Sequence, residues 1–218
     1  MTQITLIRHG QANNAATDEI GYDSLSDLGR QQIRWLGDYM RSSGERFERI
    51  YAGDLNRHQQ SAAEWGAEAG DVETDPRLNE VRYFELSELM HQQFGIPHPD
   101  GPEAFVDHLP LTFSAWQEGK IEGASESFHD FQTRVSDVLH EIAGRGERAI
   151  VFTSGGLIGM ATRVAMGLKL GPFTRAILPI MNSSVHRFAP HPAGIMMTQF
   201  NAVPHLDHPD RHHAQTTI

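Results

Sequence analysis

Arg8-His9-Gly10 sets an imidazole beside a guanidinium and a flexible glycine, directly after a short apolar run. A histidine so placed can serve as a base, a metal ligand or a nucleophile, and the tripeptide alone does not choose among them. Two other places carry residue types of the same interest. One is Asp54 to Arg57; the other is Ser154-Gly155-Gly156, a tight turn after a second apolar run.

The elements that must position these residues alternate in type. Residues 3–8 read as a short buried strand rich in β-branched side chains. A loop with Asn13, Asn14, Asp18, Gly21 and Asp23 follows, and Ser26 is a candidate N-cap. The helix after it is expected to bury Leu28, Leu36, Tyr39 and Met40 and to stop near Gly44. Residues 48–53 suit a second strand, and a helix is expected over about 57–69. Phe128, Phe131, Val135, Val138, Leu139 and Ile142 mark an amphipathic helix ended by Gly144. Residues 148–153 are the best buried-strand candidate, followed by a helix over about 156–168 and strands near 184–189 and 195–200. The stretch 83–126, with five prolines and glycines between Pro97 and Pro110 and short helical patches at 85–94 and 111–117, reads as an insertion over the site.

Strands alternating with helices predict an α/β fold. The expected architecture is a three-layer sandwich, a mostly parallel central sheet with helices on both faces and an inserted helical lid, in one domain over 1–218. Sites in such sheets lie at the carboxyl ends of the strands, which brings His9, Asp54–Arg57 and Ser154–Gly156 to one edge.

Composition narrows the class. The chain has 218 residues, 39% hydrophobic and 21% charged, as in an ordinary globular protein. No apolar run approaches the roughly 18–20 residues that span a bilayer, and the first ten residues lack a secretory pattern, so no membrane association and a cytoplasmic location are expected. The net charge of −10 argues against nucleic acid as a partner. Without cysteine there is no thiolate nucleophile, thiolate metal site or disulfide.

Taken together, Leu6-Ile7-Arg8-His9-Gly10-Gln11-Ala12, Leu25-Ser26-Asp27-Leu28-Gly29-Arg30, Tyr51-Ala52-Gly53-Asp54-Leu55-Asn56-Arg57, Leu78-Asn79-Glu80 and the strand-turn at 149–156 resemble the histidine phosphatase (phosphoglycerate mutase-like) superfamily. The resemblance runs in order along nearly the whole chain; 83–126 and the tail match poorly. It implies that His9 is a nucleophile forming a phosphohistidine and that Glu80 is the general acid and then base. It further implies that Arg8, Arg57, Ser154 and Gly155 hold the phosphoryl oxygens. The ligand is then a small phosphorylated substrate or inorganic phosphate, and no metal or other cofactor is required. Dimers are common in the family, so a homodimer is possible.

One departure stands out. The family places a second histidine before the Gly-Gly turn, whereas here Ser154 stands there, as in an RHGQA-type branch. A hydroxyl donates one hydrogen bond but carries no charge. Loss of such a donor costs on the order of 10²–10³ in rate in other oxyanion sites. His58, next to Arg57, is a candidate source of the missing charge. The expected activity is phosphomonoester hydrolysis; the alternative is a phosphate-binding or regulatory member with little turnover. Gln11 stands where many members carry glutamate and no second phosphate site is evident, which disfavours a mutase. His205, His208, His212 and His213 with Asp207 and Asp210 have spacings that could bind a metal, but a solvated tail is the simpler reading. Tyr83, Phe84, Phe94, Phe105, Phe113 and Trp116 could line a substrate-selecting lid or simply pack it. Trp35 and Trp65 suit packing or a subunit contact.

Overall fold

The structure is a computed structural model that describes residues 3–13, 19–68 and 70–217. Of the loop after the first strand, Asn14 and Asp18 lie outside the described residues.

A six-stranded sheet runs in the order β3-β2-β4-β1-β5-β6. Its strands are β1 (Gln3–Arg8), β2 (Arg49–Ala52), β3 (Val72–Thr74), β4 (Arg148–Thr153), β5 (Val185–His191) and β6 (Gly194–Ala202). β1, β2, β3 and β4 are mutually parallel, while β5 pairs antiparallel with β1 and β6 antiparallel with β5. The central strands are buried on both faces, which explains their continuous apolar runs. Ile4, Leu6, Tyr51, Ala149 and Val151 face one apolar layer; Ile7, Ala52, Ile150 and Phe152 face the other. This is the expected mixed α/β sheet flanked by helices.

α2 (Asp27–Ser42) and α3 (Asn56–Trp65) cover the second face. Ser26 caps α2, its hydroxyl accepting from the Gly29 N–H at 3.0 Å. Leu36 and Met40 are buried as expected, but Tyr39 is turned outward and Leu28 only half-buried; Gly29, Gln32, Ile33 and Gly37 form the rest of the inner face. The apolar stripe therefore follows the 33–36–40 spacing, one residue away from Tyr39.

α4 (Tyr83–Phe94), α5 (Gly101–Gln117), α6 (Phe128–Gly144), α7 (Gly155–Met166) and α8 (Leu170–Ile177) lie on the first face; α1 (Glu19–Tyr22) is a single turn in the loop after β1. All six apolar positions read for α6 are buried. α5 is ten residues longer at its start than the patch read at 111–117. Pro102 sits in its first turn, where proline costs no hydrogen bond, and Pro110 is carried inside the helix. Leu86, Met90, Leu109, Phe113 and Trp116 share one apolar cluster with the sheet, so 83–126 is packed into the main core.

The tail departs from the solvated reading. Residues 204–206 and 209–214 form short 3-10 turns, with Leu206 and Ala214 buried against Trp35 and Leu28. His205 is buried with Nε2 2.7 Å from Ser183 Oγ, whereas His208 is exposed and His212 turns to the Asp207 carbonyl. The tail histidines do not converge, and among the described residues no group of three or more His, Asp or Glu is arranged to hold a metal. Trp65 packs on Phe47 and Phe152, and Trp35 packs under Arg211 and against His213. Among the described residues no helix is long and apolar enough to cross a membrane.

Candidate active site

β1 delivers Arg8 and His9 to the carboxyl edge of the sheet. Gly10 and Gly29 are in close apposition there: a Cβ on Gly10 would lie 2.2 Å from the Gly29 carbonyl oxygen, and one on Gly29 would lie 2.1 Å from that of Gln11. Only glycine at both positions lets the chain leave β1 against the start of α2. Gln32 locks the junction, accepting from the Gln11 N–H at 2.8 Å and donating to the Ala214 carbonyl at 2.7 Å.

His9 is 1% exposed, and its Nδ1 lies 2.7 Å from the Gly10 carbonyl oxygen. A carbonyl can only accept, so Nδ1 carries the proton and Nε2 keeps its lone pair. Burial pushes the imidazole pKa well below its ordinary value, and the positive potentials of Arg57 and Arg8 push it the same way. His9 is therefore neutral, the form in which an imidazole attacks.

Arg8 and Arg57 reach a shared cavity of about 490 Å³ that is also lined by Glu80, Gly155 and Gly156. Arg8 Nη1 donates to the carbonyls of Ile180 and Thr217, which fixes the guanidinium plane, while its Nε is buried beside Gly155 with no acceptor among the described residues. Arg57, 1% exposed, donates from Nη1 to Asp23 Oδ1 at 3.0 Å and lies 5.2 Å from the Tyr22 ring centre. Asp23 also accepts from the Asn56 and Arg57 backbone N–H groups, so it caps α3 where Leu55 has no capping side chain.

The Glu80 carboxylate accepts from the Val81 N–H at 2.9 Å and from the Gly156 N–H at 3.1 Å, the latter at the start of α7. Its loop is held from both sides. Arg134 donates to the carbonyls of Arg77 and Asn79 at 2.8 and 2.9 Å, and Thr153 Oγ1 donates to that of Leu78 at 2.6 Å.

Ser154 is fully buried at the start of α7, and His58 Nε2 lies 2.5 Å from its hydroxyl. The His58 and His9 rings are 5.9 Å apart. An imidazole thus arrives beside the Ser154 position from α3, one residue after Arg57. It does not supply the charge expected of it. Burial, reinforced by Arg57, holds the His58 pKa well below the ordinary value, so the ring is neutral.

Of the six residues singled out in sequence, Arg8, Arg57, Glu80 and Gly155 line the cavity, while His9 and Ser154, each adjacent in sequence to a lining residue, are buried and not part of the lining. Four neighbours were not read from sequence. Asp23 and Tyr22 come from the loop, Thr217 from the tail, and Ser183 holds the His9 carbonyl with its N–H at 3.2 Å from a left-handed backbone, φ 58°. Asp23 stood out only as one polar residue of that loop, and Ser183 lies in a polar Asn-Ser-Ser cluster just before an apolar strand.

Comparison with known proteins agrees with the sequence motifs. Residues 4–203 match the model of the histidine phosphatase superfamily, branch 1. A metal-independent phosphoserine phosphatase of Arabidopsis thaliana is 27% identical over 190 residues, covering 84% of this chain and 76% of that protein. Among solved structures, Bacillus stearothermophilus YhfR superposes with a TM-score of 0.69 at 20% identity, covering 94% of this chain and 99% of the other. Phosphoserine phosphatase from Entamoeba histolytica, solved with phosphoserine, gives a TM-score of 0.68 at 16% identity, over 94% and 100% of the two chains. Because the family model spans 200 of the 218 residues, from the strand that delivers His9 to the end of the sheet, the chain belongs to the histidine phosphatase superfamily.

Proposed function

We propose that the protein hydrolyses phosphomonoesters through a phosphohistidine on His9. The observation that carries this reading is the Nδ1–Gly10 hydrogen bond. It leaves the Nε2 lone pair on a neutral ring under the electrostatic influence of two guanidinium groups that reach one cavity. The substrate phosphoryl group sits over Nε2 with its oxygens on Arg8, Arg57, Ser154 and the Gly155 N–H. The His9 Nε2–P bond forms as the P–O ester bond breaks, and Glu80 gives its proton to the departing alkoxide. Water then attacks phosphorus and returns a proton to Glu80. The P–N bond breaks, and phosphate and neutral His9 remain. The segment 83–126 acts as the lid over this site. No step calls for a metal or organic cofactor.

The alternative, phosphate binding with little turnover, rests on Ser154 replacing an imidazole. His58 weakens that objection. With Nε2–H donating to Ser154 Oγ, the hydroxyl proton turns to the phosphoryl oxygen, so the pair supplies a fixed donor. Hydrolysis of a chromogenic phosphomonoester by wild type and His9→Ala tests the proposal. A loss of at least about 10³-fold in kcat is expected; equal turnover would remove His9 from the chemistry.

A further inference from the structure

The walls of the cavity differ sharply from its floor. Among its described lining residues the only charged ones are Arg8, Arg57 and Glu80, all at the phosphoryl end. Above them Phe84 from α4, Phe105, Leu109 and Phe113 from α5, Ile177 at the end of α8 and Leu178 just after it close the space. The polar side chain of this wall, Tyr83, is already engaged. The Tyr83 hydroxyl is 2.6 Å from His108 Nδ1, and the Tyr83 ring packs edge-on against Phe105 with centres 5.0 Å apart. Burial raises the Tyr83 phenol well above its ordinary value, so it brings no charge. Arg82, the neighbouring cation in sequence, is exposed and faces Glu85. At about 490 Å³ the cavity is within the range of roughly 300–1,000 Å³ that holds a small organic ligand, well beyond a phosphate alone.

We infer that the substrate is the phosphate ester of an uncharged, apolar alcohol whose body packs between α4, α5 and α8, not a phosphorylated amino acid or hydroxy acid. This rests on the hydrolase reading above and adds the substrate class. The ammonium and carboxylate of phosphoserine would lie against aromatic and aliphatic carbon with no counter-charge among the described lining residues, and an unpaired buried charge is strongly disfavoured. An apolar body loses nothing there and gains contact with the rings.

The test compares kcat/KM for 2-phenylethyl phosphate, glycerol phosphate and O-phosphoserine, all esters of alkyl alcohols, so that leaving-group reactivity does not decide the order. Phenylethyl phosphate is expected to exceed phosphoserine by on the order of 10²-fold, with glycerol phosphate between them. Phe105→Ala is expected to lower that ratio about tenfold, mainly through KM for the phenylethyl ester. Phosphoserine turned over as well as phenylethyl phosphate would overturn the inference and leave the hydrolase reading standing. If none of the three is hydrolysed, the hydrolase reading fails. Calorimetry then still decides the class: phenylpropylphosphonate should bind at least tenfold tighter than the phosphonate isostere of phosphoserine, and the reverse order would refute it.

Discussion

His9 and the Ser154–His58 pair share one feature, a neutral buried imidazole with one ring nitrogen held by a fixed partner. For His9 that partner is the Gly10 carbonyl, and burial with two nearby guanidinium groups keeps the ring neutral. For Ser154 the fixed partner is His58, 2.5 Å away inside the protein. That contact predicts the result of restoring the family's more usual histidine. Ser154→His alone places a second imidazole where His58 already sits, and overpacking of about 1–3 kcal/mol should displace one ring or the other. Activity is expected to fall at least tenfold. Ser154→His combined with His58→Ser should recover most of it, because the two side chains exchange places. Steady-state kinetics on a chromogenic ester checks both variants. A single Ser154→His variant more active than wild type would show that the His58 contact has no part in the site.

At the scale of elements, the start of α7 is where sheet, loop and chemistry meet. Gly156 donates to Glu80, and a Cβ there would lie 2.2 Å from Glu80 Oε1 and 2.9 Å from Val81 Cγ1. Gly156→Ala should therefore swing the Glu80 carboxylate away while α7 stays folded. A fall of roughly 10²-fold in kcat with little change in melting temperature is expected, since general acid–base catalysis contributes about 10²–10⁴. An unchanged kcat would detach Glu80 from proton transfer. How much of this was legible in sequence depended on range. Ser26, the α6 spacing and β4 were readable because a cap, a 3.6-residue period and a buried apolar run are local signals. β3 escaped because one half-buried and two exposed residues at a sheet edge carry no pattern. α8 went unread because a Gly-Pro pair at its opening gives no helix signal by itself, though proline suits a first helical turn. The site residues were legible through their motif, but the turn of His58 toward Ser154 spans 96 positions and no local rule encodes it.

Over the whole molecule, a body of net charge −10 surrounds a small positive floor, and the interior stores several histidines as neutral rings. Burial pushes His186 and His205 down to about 3, and His9 and His58 also lie well below 6.5. In the unfolded chain the same rings take up protons near 6.5, so unfolding binds protons and stability falls as pH drops from 6.5 toward 3. Between pH 6.5 and 5, His186 and His205 should each withdraw about 2 kcal/mol. Denaturant melts at pH 7 and 5 should show this loss, and His205→Gln should reduce it by about 2 kcal/mol. A pH-independent stability over that interval would mean these rings are charged in the fold. The central claim, attack by His9 Nε2 on phosphorus, is tested most directly by acid-free rapid quenching of the intact protein with a phosphoryl-labelled ester, followed by peptide mapping. Label that is acid-labile and base-stable, carried on the peptide containing His9 and absent from His9→Ala, is the expected result. Label on any other residue, or label persisting in His9→Ala, would contradict it.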